Sequence, residues 1–378
     1  MKRRAAHCVL SVLAVVALAA CSSRASPDAS SGHDGPIGAP LATSVSTALG
    51  SWATFPMGHL DDPTNTFWEE FSLPKGADTW VERTPPDVAD NGGLVAAPTS
   101  TGVVVGFRPS DLLSFSPLAS TMDGGATYTP GLVPGGLSDV PDALSVAPNG
   151  RAVALIGTAI VTSPSSLSGW QPSTTLAAIS AAPAARACDV RDLTAVTITD
   201  SNAFVGTACS STGVVGLFEQ SGSTVRSVAP SGIKGQVRVL RLVPDGQGLA
   251  VLLGVTTSSV TSYVAAWNSA PATAPWTVSA PLATSGQLTS SAVTSPAGFA
   301  VVTTNSGTAL SASIIAGPGA SWTQLASPPK GTATVAVSDS RTDALVVDSA
   351  TFIDYRLTSG TWMKAQTVQV AVPYGSSG

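Results

Sequence analysis

The chain has 378 residues, of which only 11% are charged, with 18 basic and 23 acidic side chains and a formal net charge of −5. That balance provides no basic stripe to neutralise phosphates and excludes nucleic acid as a partner. Gly, Pro, Ser and Thr are abundant, short apolar runs recur between turn signals and nothing reads as a long amphipathic helix, so one all-β domain of many short strands is expected despite the length.

Residues 1–20 read as a targeting segment, with Lys2, Arg3 and Arg4 as its basic end and Val9 to Ala20 as an apolar run too short to span a bilayer. Leu18-Ala19-Ala20-Cys21 resembles a bacterial lipobox, which implies cleavage before Cys21 and lipidation of its thiol; an ordinary cleaved signal is the alternative. Two or more acyl chains anchor stably where one does not. The expected location is therefore extracytoplasmic, held to the bacterial cell membrane by lipid. Loss of three basic residues with the signal leaves 15 minus 23, or −8.

Residues 21–48 carry Ser, Ala, Gly and Pro without apolar period and read as a flexible tether, leaving 49–378 as a single domain. With Cys8 in the signal and Cys21 lipidated, Cys188 and Cys209 are left, and an even pair in an oxidising compartment reads as a disulfide. A metal site is the poorer reading, because His59 is the only histidine outside signal and tether. No metal or cofactor is expected, and the protein is read as a monomer.

From there a module of about 35 to 55 residues repeats. Its first element is a run of small and β-branched residues, in copies Leu94–Pro98, Leu144–Pro148, Leu193–Thr199, Val237–Pro244, Ser291–Pro296 and Thr334–Ser338. A turn leads to a second run, in copies Val103–Phe107, Ala152–Ile156, Ala203–Thr207, Leu249–Leu253, Phe299–Thr303 and Ala344–Val347. These pairs read as hairpins. A third run ends in a polar turn, followed by an aromatic that opens a fourth strand: Trp80, Tyr128, Trp170, Trp276, Trp322 or Trp362, with Val225 standing in once.

One copy of that turn is distinctive. Thr121-Met-Asp123-Gly-Gly125-Ala-Thr127-Tyr128 resembles an Asp-box, in which the Asp accepts hydrogen bonds from its own turn, the glycines take positive φ and the ring plugs between neighbouring strands. The resemblance is to the sialidase-like β-propellers, where the box joins the third and fourth strands of a blade on the side away from any active site. It implies a seven-bladed β-propeller of four-stranded blades. Seven fourth strands against six complete first-to-third sets further imply a split blade. Trp52–Phe55, Phe67–Phe71 and Thr79–Thr84 would supply its second to fourth strands and the C-terminal Thr367–Val372 its innermost one, closing the ring and removing exposed edges. Two stacked β-sandwiches are the competing architecture.

If box turns lie on one face, the opposite face is built by loops between blades and between second and third strands. Charge gathers there: His59, Asp61 and Asp62; Asp87, Asp90 and Asn91; Arg108 and Asp111; Asp139 and Asp142; Arg186, Asp189, Arg191 and Asp192. In so charge-poor a chain this is a candidate binding face, although any single Asp can instead cap its own turn.

The resemblance also implies three arginines for a carboxylate, a Tyr nucleophile with a Glu partner and an Asp acid/base. Phe107-Arg108-Pro109 matches the family's arginine signature only in part. Tyr128 belongs to the box, Tyr263 and Tyr355 lie in third strands, and Glu69, Glu70 and Glu82 lie in the split blade, so no Tyr/Glu pair is expected. The leading reading is a non-catalytic propeller that binds a protein, glycan or cation through the charged face. The alternative is a glycoside hydrolase, exo-sialidase-like or related, with carboxylates such as Asp87, Asp90, Asp139 and Asp142 as acid and base. No serine nucleophile elbow, phosphate loop or dinucleotide fingerprint is present.

Overall fold

A computed structural model describes residues 42–371 apart from 60–65, 87–92, 100, 108–114, 129–133, 140, 247, 259, 272, 285, 296 and 306–308. Cys21, Asp61, Asp62, Asp87, Asp90, Asn91, Arg108 and Asp111 lie outside the described residues.

The regular structure of the described residues is nearly all strand, and in chain order the strands fall into seven antiparallel groups, of which one and six share an eight-stranded sheet and four and five a nine-stranded one. Group one is β1 (Thr43–Thr47), β2 (Gly50–Gly58), β3 (Thr66–Pro74) and β4 (Val81–Glu82). Group two is β5 (Leu94–Pro98), β6 (Val103–Phe107), β7 (Ser116–Thr121) and β8 (Gly135–Leu137). Group three is β9 (Ala143–Val146), β10 (Ala152–Ile156), β11 (Ala159–Ser163) and β12 (Gln171–Thr175), followed by the short helix α1 (Leu176–Ala181). Group four is β13 (Val190–Ile198), β14 (Ala203–Cys209), β15 (Leu217–Ser221) and β16 (Thr224–Ser227). Group five is β17 (Gln236–Asp245), β18 (Gly248–Thr257), β19 (Val260–Asn268) and β20 (Thr277–Val278), with β21 (Leu282–Thr284) added to the edge of β19. Group six is β22 (Gln287–Thr294), β23 (Gly298–Thr304), β24 (Leu310–Ile315) and β25 (Thr323–Gln324). Group seven is β26 (Thr332–Val337), β27 (Thr342–Asp348), β28 (Thr351–Thr358) and β29 (Thr361–Gln369).

Each sheet is covered on both faces by its neighbours. Because side chains alternate along a strand, Val103, Val105 and Phe107 pack with Trp52 and Trp68 of group one, while Val104 packs with Leu144 of group three. The same division sends Leu249, Val251 and Leu253 to group four and Ala250 and Leu252 to group six. Second strands therefore read as unbroken apolar runs. The last interface joins the two ends of the chain: Phe55, Phe71 and Trp80 pack with Leu345 and Phe352 of group seven, and the Phe71 and Phe352 rings stack at 4.2 Å. A buried side chain of this size contributes about 1.5–3 kcal/mol.

The chain ends meet differently from the split arrangement expected from sequence. The innermost strand of the first group is β1, inside the stretch read as tether, while Thr367–Gln369 continues β29, the outermost strand of the last group. Thr43–Thr47 looks like tether because it is mostly hydroxyl side chains, yet Ser44 and Ser46 are buried. Ser44 donates to Val335 O at 2.9 Å and Ser46 shares a 2.8 Å bond with Ser51, which removes the cost of burying them. At the other end Ser359 and Gly360 take φ of 49° and 78°, a two-residue hairpin that returns β29 along β28 for its full length. Val370 then lies buried against group one.

Candidate functional site

The Thr121–Tyr128 turn is built as its residue types require. Asp123 Oδ1 accepts from Thr127 N at 2.9 Å and from Thr121 Oγ1 at 2.7 Å, Asp123 Oδ2 accepts from Thr127 Oγ1 at 2.5 Å, and Gly124 and Gly125 have φ of 74° and 82°. These bonds, the one from the Thr127 hydroxyl foremost, hold the carboxyl well below the usual range. The turn leans on group one: Ser72 Oγ donates to Gly124 O at 3.1 Å, and a Cβ at Gly125 would stand 2.8 Å from Arg83 Cβ. Tyr128 is buried, but it precedes β8 by several residues and does not open it.

Here the structure corrects the expectation that no Tyr/Glu pair exists. Tyr128 Oη donates to Glu70 Oε2 at 3.1 Å across the group one–group two interface. Glu70 is fully buried, its Oε1 has no hydrogen-bond partner among the described residues, and burial raises its carboxyl to about 8. Sequence position had assigned the tyrosine to a structural turn and the glutamate to another sheet, and only the packing of sheet on sheet brings them together.

The first strands of groups one to six surround a cavity of about 290 Å³ lined by Val45, Ala96, Leu144, Val196, Leu242 and their neighbours. Group seven stands off it, because β1 pairs directly with β22, parallel, from Thr43↔Ser291 to Val45↔Val293. The lining is small and apolar apart from hydroxyls and two charged residues. Arg241 on β17 reaches β22, with Nε donating to Ser291 Oγ at 2.8 Å, and burial pushes its guanidinium down to about 10. Asp142, just before β9, is buried and accepts from Gly157 N at 2.6 Å. Close by, two residues outside Thr194 and Leu240 of the lining, Asp192 Oδ2 lies 3.7 Å from Arg238 Nη2. Burial raises the Asp192 carboxyl, Arg238 opposes that, and Asp142 adds to it.

Of the sequence-predicted face, the structure thus brings Asp142 together with Asp192, with Arg191 exposed beside them, at the end where first strands begin. His59 and Asp139 are exposed. Asp142, in the loop before β9, is buried in the cavity wall. Arg238 and Arg241 were missed. Their signal was a pair of charged residues inside the apolar run Val237–Pro244, on a strand whose other copies are small and uncharged. Cys188 and Cys209 form a disulfide, Cα–Cα 4.9 Å, that ties the segment entering β13 to the end of β14 beside this mouth. Among the described residues no three His, Cys, Asp or Glu side chains are grouped to hold a metal ion, and no helix is long and apolar enough to cross a membrane.

No family model matches the chain, and no curated protein matches it by sequence. Solved structures similar to it include candidate 6-phosphogluconolactonases from Bacteroides uniformis (TM-score 0.51, 10% identity, 85% of this chain and 97% of that one) and Bacteroides fragilis (TM-score 0.52, 11% identity, 86% and 96%). A fungal lectin from Aleuria aurantia, described as a six-bladed β-propeller, is similar at a TM-score of 0.44 and 14% identity over 77% and 96%. At such identities the likeness is one of fold alone.

Proposed function

We propose that the seven groups are the blades of an Asp-box-type propeller, held outside a bacterial cell membrane by lipid on Cys21, which binds a protein loop or glycan at the mouth of its axial cavity without catalysis. The observation that supports this is the cavity of about 290 Å³ with Asp142 in its wall and the Asp192–Arg238 pair beside it. That volume is just under the roughly 300 Å³ at which small-ligand pockets begin, so the cavity takes one inserted group of a larger partner. The mouth carries both signs of charge, which favours a polar, uncharged or zwitterionic group over an ion.

A screen of the purified protein on a glycan array, with fluorogenic glycosides in parallel, tests it. Retention that disappears in Asp142→Asn with Arg238→Ala supports the reading. Turnover of any glycoside that disappears in Asp142→Asn alone would sink the non-catalytic part. That outcome belongs to a second reading, a glycoside hydrolase, favoured by one observation: two carboxyls, Asp142 and Asp192, lie near each other at the cavity, and burial raises that of Asp192. Anchoring is tested separately, since Cys21→Ser should release the protein, and a wild-type mature mass without lipid would refute it.

A further inference from the structure

The face that group six turns toward group five changes character along its length. Phe299, Val301 and Thr303 alternate on that side of β23, and the ladders set Val301 opposite Ser313, Thr303 opposite Ser311, and Gln324 of β25 opposite Ser313. At the Phe299 end the face is apolar and closed, with the Phe299 and Trp267 rings 6.3 Å apart. At the Thr303 end it turns to hydroxyls and amides, and the groups part around a cleft of about 210 Å³. Thr284, Thr303, Asn305, Ser311, Ser313 and Gln324 supply its polar lining, and Leu282 and Val301 an apolar patch. Among the described lining residues no side chain is charged. The opposing wall is β21, the strand added to group five beyond the usual four, pinned to Thr261–Tyr263 of β19.

We propose that this cleft is a binding site for one neutral saccharide unit, separate from the axial mouth and independent of any role there. The other contacts between groups are dominated by apolar side chains, since burying a hydroxyl without a partner is unfavourable. A polar stretch in such a face needs a polar occupant. The hydroxyls and primary amides here each donate and accept, as sugar hydroxyls do. Thr284 and Thr303 hydroxyls already meet at 3.3 Å across the cleft, and Asn305 Nδ2 donates to Ser311 Oγ at 3.3 Å along one wall, so these side chains are ordered before a ligand arrives. The lack of charge selects a neutral ligand. Leu282 and Val301 suit the C–H face of a pyranose, and the volume, below the roughly 300 Å³ of drug-sized sites, holds one ring. Empty of sugar, the cleft would hold about seven waters at roughly 30 Å³ each, which the ring hydroxyls replace.

The test titrates the purified protein by amide-resolved NMR with glucose, galactose, mannose, fucose and N-acetylglucosamine in turn. At least one should bind with a dissociation constant on the order of 1 mM and shift the amides of Thr303, Ser311 and Ser313. Asn305→Ala and Gln324→Ala, whose side chains border the cleft without filling the core, should each weaken it about tenfold while amide shifts away from the cleft stay unchanged. Shifts confined to Thr194, Val196 and Leu242 would place the sugar at the axial cavity and overturn this proposal while supporting the earlier one. No shift with any sugar, or binding indifferent to both substitutions, would mean a cleft holding water only.

Discussion

Between groups four and five the contact is largely apolar: Leu217 and Phe204 meet Val237, Val239, Leu249 and Leu253, Trp276 Nε1 donates to Val228 O at 2.8 Å, and the partly exposed Asp192–Arg238 pair stands at its edge. Between groups seven and one the stacked phenylalanines are flanked by buried charge. Arg341 Nη2 lies 2.6 Å from Asp343 Oδ2 and 2.9 Å from Asp354 Oδ2, Trp80 Nε1 donates to the same Asp343 oxygen at 3.0 Å, and Arg341 and Arg356 both donate to Asp78 O. In each case an aromatic at the start of a fourth strand reaches back to the preceding sheet. What differs is directionality. Apolar faces tolerate small slides, whereas the Trp80 bond to Asp343 and the Arg341 and Arg356 bonds to Asp78 O fix a single register where groups seven and one meet, with Arg341 holding the two carboxylates of group seven in place.

The largest effect should come from removing the shared cation. Arg341→Met leaves Asp343 and Asp354 buried without it, which costs about 3–5 kcal/mol, measured by denaturant unfolding. Adding Asp343→Asn and Asp354→Asn should restore much of the loss; a triple variant as unstable as the single one would show that the arginine acts through packing instead. In the aliphatic interface Leu253→Ala should cost about 2–5 kcal/mol from lost transfer energy and a cavity. No polar substitution elsewhere should rescue it.

Acidity separates the interfaces more sharply. Burial, with Asp343 adding to it and Arg341 and Arg356 opposing, lifts the Asp354 carboxyl from 3.8 to about 7, and burial lifts Glu70 on the other side of group one from 4.5 to about 8 against its bond from Tyr128. Both folded values exceed the unfolded ones. Their stabilisation is therefore complete below about pH 4 and is lost as pH rises through 7 and 8. The melting temperature should fall from pH 5 to pH 8. Asp354→Asn should flatten the part of the curve near 7 and Glu70→Gln the part reaching 8, while Leu253→Ala lowers the whole curve without changing its slope. An unchanged slope in both carboxamide variants would refute the ionic account of these interfaces.

The same contrast marks what was legible in the sequence. Val103–Phe107 and Ala152–Ile156 stand at their expected bounds because strands covered on both faces leave an uninterrupted apolar run. The cysteine pairing was legible from parity, once an oxidising compartment was expected. β1 was not, since its burial rests on hydroxyls that find partners in two other strands, Val335 of β26 and Ser51 of β2, and nothing local distinguishes them from tether. Glu70 with Tyr128, and Asp343 with Trp80, were invisible for the same reason: they are long-range contacts between polar residues, 58 and 263 positions apart. At the candidate site Asp142 and Asp192 were among the loop carboxylates named from the sequence, but Arg238 and Arg241 were hidden inside a strand whose pattern was otherwise correct.

The smallest predicted effect compares the two tryptophans directly. Trp276→Phe keeps a ring in place and removes one neutral hydrogen bond, leaving the carbonyl of Val228, itself a buried residue, without its indole donor; a net loss of about 0.5–1.5 kcal/mol is expected. Trp80→Phe removes a donor to a buried carboxylate that two arginines already serve. Hydrogen bonds to charged groups contribute about 1.5–3 kcal/mol, so this loss should be about twice as large at pH 7. It should also shrink in acid, because a protonated Asp343 has less need of the indole N–H, whereas the Trp276 loss should be the same at pH 5 and pH 8. Equal losses, or a Trp80 loss indifferent to pH, would mean that both indoles act as apolar plugs and that the charge at the chain-end interface does not depend on Trp80.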